Sequence, residues 1–179
     1  PLSAFSAQVL ISLLMAFILT LPFFLYKAMR YLLPALHEKE RKVLIRILLP
    51  SAFLFFAGCF FSYLFLIPLT FKTLYSFTTI IGAVPFFSIS EFISSVFGLM
   101  IAVGIMFLLP IFMVFLSFLG IVSADFWRDK WRYALLIVLI FTAIITPDGT
   151  GITMMMLSAP IAGLYFLGTV VTTKKKPQI

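Results

Sequence analysis

The chain has 179 residues, 63% hydrophobic and 11% charged, with 23 phenylalanines and a mean hydropathy of +1.21. A water-soluble domain carries about 25% charged and about 45–50% apolar residues, so this composition excludes one and places the chain in a bilayer. Thirteen Lys and Arg against six Asp and Glu give a net charge of +7, which in a membrane protein is read loop by loop and not as a nucleic-acid footprint.

A spanning helix needs about 20 apolar residues, so the charged residues delimit the spans. The first predicted span covers 7–26 and ends before Lys27. The connection 27–46 is basic, with Lys27, Arg30, Lys39, Arg41, Lys42 and Arg46. The second span covers 47–66 and is expected to close at Pro68, leaving 67–93 as a loop that carries Lys72. The third covers 94–119, and the loop 120–132 holds Arg128, Lys130 and Arg132. The fourth, 133–147, has 15 residues, about 22 Å of helix against a hydrocarbon core of about 30 Å. Such a helix either thins the membrane around it or is shielded by its neighbours. A turn at 148–151 leads to the fifth span, 152–171, and a tail, 172–179, with Lys174, Lys175 and Lys176.

The expected class is therefore all-α, a polytopic helical membrane protein in one transmembrane domain. Twelve of the basic residues fall in 27–46, 120–132 and 172–179, and Lys72 alone falls on the other side. Basic loops stay cytoplasmic, which puts the C-terminus inside and, with five spans, the N-terminus outside. A chain that begins at Pro1 on the outer side is expected to be a fragment lacking one earlier span, so that five of six are present.

The ionisable residues are few. Cys59 and His37 stand alone, which excludes an internal disulfide and a Cys/His metal cage, and no metal or cofactor is expected. Glu38 and Glu40 lie in the basic stretch YLLPALHEKERK. They suit a solvated helix with a Glu38–Lys42 pair, or an acidic receptor in which a carboxylate takes two parallel bonds from a guanidinium. Glu91 and Asp148 read as interfacial or capping residues, Asp125 and Asp129 as structural, with Ser123 or Asp125 capping a short helix, and Trp127, Trp131 and Tyr133 as an interfacial aromatic anchor. Small residues every fourth position (Gly58 and Ser62; Ser94, Gly98 and Ala102; Ala159 and Gly163) predict close helix packing. No ionisable residue falls at mid-membrane depth, which argues against an ion-coupled transporter.

In this order along the chain, PALHEKERK, SYLFLIPLTF, FLLP, GIVSADFWRDKWRY, ITPDGT and MLSAPIAGLYFLG resemble the TatC subunit of the twin-arginine protein translocase. The resemblance implies six spans, a concave glove-like shape and short last two spans. It implies a receptor in the prokaryotic cytoplasmic membrane and not an enzyme, one that binds twin-arginine signal peptides of folded substrates and helps export them. Partners would be single-span TatA and TatB-type subunits, membrane lipid and further copies within the complex, with no nucleic acid. The family's signal-peptide glutamate falls on Glu40, with Glu38 as a second acceptor. Its preceding aromatic falls on Tyr31, and Pro34 and Leu36 match the same motif. The polar patch that receives partner helices falls on Thr146 and Thr153. Where many members carry a buried Glu or Gln, this chain has Leu108, and the family's acidic N-terminal cytoplasmic segment is absent from it. The competing readings are a small-molecule transporter or permease subunit, which needs a polar midplane site, and a lipid-modifying enzyme, for which no carboxylate pair or metal cluster is evident.

Overall fold

The structure is a computed structural model that describes residues 2–32, 38–81, 88–146 and 151–174. Among these residues every regular element is helical. Helix α1 spans Leu2–Leu32, α2 Glu38–Phe61, α3 Ile67–Ile81, α4 Ile89–Phe107, α5 Leu109–Phe118, α6 Ala124–Asp129, α7 Trp131–Ile145 and α8 Ile152–Lys174. Runs at Leu49–Ile80, Ile89–Phe118 and Ile152–Thr173 are long and apolar enough to cross a membrane, and Ala7–Leu21 and Trp131–Ile145 are shorter apolar helices. The chain is a polytopic helical membrane protein.

Within lipid the helices satisfy their own polar groups. The hydroxyls of Ser12 and Thr20 in α1 donate to the carbonyls of Gln8 (3.0 Å) and Ala16 (2.7 Å), as a medium without water requires. Large apolar side chains face outward, Phe23, Phe24 and Ile144 among them. In water such a surface would be a liability; in a bilayer it is the solvated face.

One expectation from the sequence is corrected. Pro68 does not close the second span, because α2 and α3 form one helical run joined by a π-helical turn at Ser62–Leu66. Proline lacks an N–H, and its ring clashes with the carbonyl four residues earlier, here that of Leu64. The widened turn lies directly upstream, with the Ile67 N–H reaching the Ser62 carbonyl, and gives the ring room. Helix α3 thus occupies much of the stretch 67–93 expected as a loop. Likewise α1 runs on past residue 26, α2 begins within the expected loop 27–46, and α6 forms within 120–132.

The remaining ends follow local rules. At the start of α4 the Glu91 carboxylate accepts the Ser88 N–H at 3.2 Å, half of a capping box. Pro110 sits in the first turn of α5, where a missing N–H is harmless, and the chain breaks at Leu108 between α4 and α5. Ser123 caps α6 by accepting the Phe126 N–H at 3.2 Å.

Helix α4 is the hub. It packs on both α1 and α2, while α8 packs on α5 and α7. One buried cluster gathers Leu66, Val103, Phe107, Val138, Leu157 and Ile161, and a second gathers Ile18, Leu21, Phe55 and Cys59.

Candidate functional site

Two regions hold the residues singled out by sequence. The first is the connection between α1 and α2. Tyr31 stands in the last turn of α1 and is 87% exposed. Glu38 and Glu40 fall in the first turn of α2. Because α1 and α2 pack on each other, the aromatic and the acidic positions flank one connection. Pro34, Leu36 and His37 lie outside the described residues, as does Asp148.

The second region is the far end of α7 and α8. Thr146 caps α7 with extended backbone, and its N–H and hydroxyl both donate to the Thr142 carbonyl, at 2.9 and 2.8 Å. Thr142 donates its own hydroxyl to Leu139 at 2.9 Å. Thr153 lies in the first turn of α8. Thr142, Thr146 and Thr153 are buried at 0%, 7% and 0% exposure, so these side chains are packed inside the bundle. What this end offers outward is apolar: Ile144, Ile152 and Met155.

Sequence reading missed a hollow between α2, the α4–α5 break and α7. It has a volume of about 420 Å³ and is lined by Ser51, Ile105, Leu108, Phe112, Val138 and Phe141, among others. Ser51 is the polar side chain of the lining, and it is buried. Leu108 keeps this wall apolar. Nothing in the one-dimensional pattern joins Ser51 to Phe141; only the helix crossings do.

A third feature ties the segment SADFWRDKWRY to the bundle. The Trp127 indole N–H donates to the Ser117 hydroxyl at 2.9 Å, and the Tyr165 hydroxyl donates to the Trp127 carbonyl. Thus α6, which has no buried residue of its own, is held between the end of α5 and the middle of α8. Of the three aromatics expected as an interfacial anchor, Trp127 is tied inward, to Ser117 and Tyr165. The aromatics of the segment carried the signal; the partner positions did not.

Comparisons with known proteins agree with this architecture. The sequence model of the family described as Sec-independent protein translocase protein (TatC) matches residues 1–160. A TatC protein of Cenarchaeum symbiosum is 41% identical over 94% of this chain and 64% of its own length. One from Synechocystis is 37% identical over 82% of this chain and 58% of its own length. The chloroplast protein of Pisum sativum is 36% identical over 82% of the chain and 41% of its own length. The chain therefore spans less than two thirds of these curated relatives. The crystal structure of a twin-arginine translocase receptor, TatC, in DDM superposes with a TM-score of 0.76 at 32% identity, over 94% of this chain and 74% of that one.

Proposed function

The chain belongs to the TatC family of Sec-independent protein translocase proteins, and from that premise we propose that it serves as the receptor subunit of a twin-arginine translocase. The observation that carries the reading is the match, at a TM-score of 0.76 over 94% of the chain, to a structure that is itself described as a receptor. In this reading the protein is a transport component and catalyses no bond chemistry. The basic connections and the C-terminus face the cytoplasm.

Signal-peptide arginines dock at Glu40, with Glu38 as a second acceptor and Tyr31 beside them. A carboxylate distinguishes arginine from lysine because only guanidinium presents a planar pair of donors. The apolar stretch that follows the arginines enters the hollow lined by Leu108, Phe112 and Phe141, whose lining matches such a stretch. Single-span TatA and TatB-type partners assemble against the end of α7 and α8. There Thr146 and Thr153 support the surface from within, and Ile144 and Met155 supply the contact.

The test is direct. The purified protein is expected to bind a twin-arginine signal peptide more tightly than its twin-lysine counterpart. Loss of a charge-assisted, two-bond contact in Glu40→Ala is worth about 1.5–3 kcal/mol, a fall of at least tenfold in affinity. Equal binding of the two peptides, or full export in Glu40→Ala, would remove this residue from the receptor site.

A further inference from the structure

Two grooves flank α6 and the start of α7, and both carry a cation at an apolar wall. One, of about 280 Å³, is lined by Arg128, Trp131, Phe166 and Thr169. The other, of about 370 Å³, runs from Lys130 and Tyr133 along Phe126, Ala134, Ile137 and Tyr165. Arg128, Lys130 and Arg132 are all exposed, and among the described residues none of them forms an ion pair. Asp125 and Asp129 lie on the same helix but line neither groove. Aromatic faces hold two of the cations in place: the Lys130 ammonium is 5.4 Å from the Tyr133 ring centre, and the Arg132 guanidinium is 5.5 Å from that of Trp131.

The depth of this cluster follows from α7. Its 15 residues make about 22 Å of helix, short of a hydrocarbon core of about 30 Å. A bilayer that thins to match α7 brings headgroups to its start, where the three cations stand. The hydrogen bonds from Trp127 to Ser117 and from Tyr165 to Trp127 fix α6 so that the grooves are preformed.

We propose that this junction binds an anionic phospholipid, its phosphate at Lys130 and one acyl chain along the groove past Phe126, Ala134 and Ile137, with Arg128 adding its charge from the neighbouring groove. The charge complementarity selects the headgroup, and the apolar wall running on into the membrane-facing part of α7 selects a lipid over a soluble anion. A zwitterionic lipid offers the same acyl chains with no net charge and gains nothing from the three cations. A basic peptide is repelled.

The chain carries its own reporter, because Trp127 and Trp131 are its two tryptophans and each lines one groove. In vesicles, their emission is expected to be quenched more strongly by brominated phosphatidylglycerol than by brominated phosphatidylcholine at equal mole fraction. Arg128→Gln and Lys130→Gln should each lower the apparent affinity for the anionic lipid about fivefold, as should raised salt. Lys72→Gln, in α3, should change nothing. Equal quenching by the two lipids, or quenching unaffected by Arg128→Gln with Lys130→Gln, would mean a non-selective lipid annulus and overturn the site. Relief of quenching by inorganic phosphate would assign the cations to a free anion and overturn the lipid assignment.

Discussion

Gly58 and Gly104 face each other where α2 crosses α4: a Cβ on Gly58 would lie 2.9 Å from the Gly104 Cα, and one on Gly104 would lie 2.7 Å from the Phe55 ring. Without lipid-phase hydrophobic drive, helices in membranes associate through close backbone packing. Here two glycines in register supply it. Phe55, Cys59 and Phe107 close around the contact, and Cys59 adds a hydrogen bond to the Met100 carbonyl at 3.4 Å.

Substitution at this crossing should therefore be costly. In Gly58→Ala the new methyl meets backbone, which cannot swing away, and a loss of about 1–3 kcal/mol is expected. Gly98→Ala on the same helix as Gly104 meets open space and should be neutral or stabilising by up to about 1 kcal/mol, since alanine is the better helix former. Thermal unfolding in detergent separates the two. Equal effects would show that the glycines do not define the crossing.

The Ser117–Trp127–Tyr165 chain should behave as a unit. Tyr165→Phe removes one hydrogen bond and Ser117→Ala another, each worth about 0.5–1.5 kcal/mol. Because both act on Trp127, the double variant is expected to depart from additivity by about 0.5 kcal/mol or more. Tryptophan emission should shift to the red as α6 loosens. Strict additivity with unchanged emission would mean that the two bonds hold α6 independently.

Two buried hydroxyls point the other way. The Ser62 and Thr70 hydroxyl oxygens are shut off from solvent and have no hydrogen-bond partner among the described residues, and a buried unpaired polar group costs about 1–3 kcal/mol. Thr70→Val keeps the shape and removes the hydroxyl, so it should raise the melting temperature, by about 1 kcal/mol in stability. Thr142→Val, which deletes a made bond to Leu139, should not. A drop in stability in Thr70→Val would reveal a bound water held by that hydroxyl.

How much of this the sequence carries depends on whether a feature is local. Charge spacing finds the apolar segments because every charge in hydrocarbon is expensive, and the caps at Ser123 and Glu91 are legible because their partners lie three residues away. Pro68 misleads because its usual effect is to end a helix, and a π-helical turn that accommodates it has no sequence signature. The stripe Ser94, Gly98, Ala102 was the obvious packing face of α4, yet Gly104 makes the contact, since the crossing register is chosen by α2. Thr146 and Thr153, the expected polar patch for partner helices, are buried. Their burial depends on how α7 and α8 fold against the rest, which no single helix pattern reveals.

The length of α7 gives the last expectation. A short helix can be tolerated if its neighbours screen it from lipid, but α7 exposes Ile137, Phe141 and Ile144 at 52%, 54% and 74%, a stripe at positions i, i+4 and i+7 of one face. In the single chain this stripe is uncovered, with Ile137 and Phe141 bordering the hollow between α2, α4, α5 and α7. By contrast, the 22-residue run Ile152–Thr173 of α8 makes about 33 Å and matches an ordinary core. Stability should fall as lipid chains lengthen, because each Å of mismatch adds a fraction of a kcal/mol and α7 falls short by about 8 Å against a core of about 30 Å. Unfolding followed in vesicles of graded acyl-chain length should place the optimum at the thin end. A stability that ignores thickness would show that α7 is screened in the assembled protein, with partner helices covering Ile137 and Ile144.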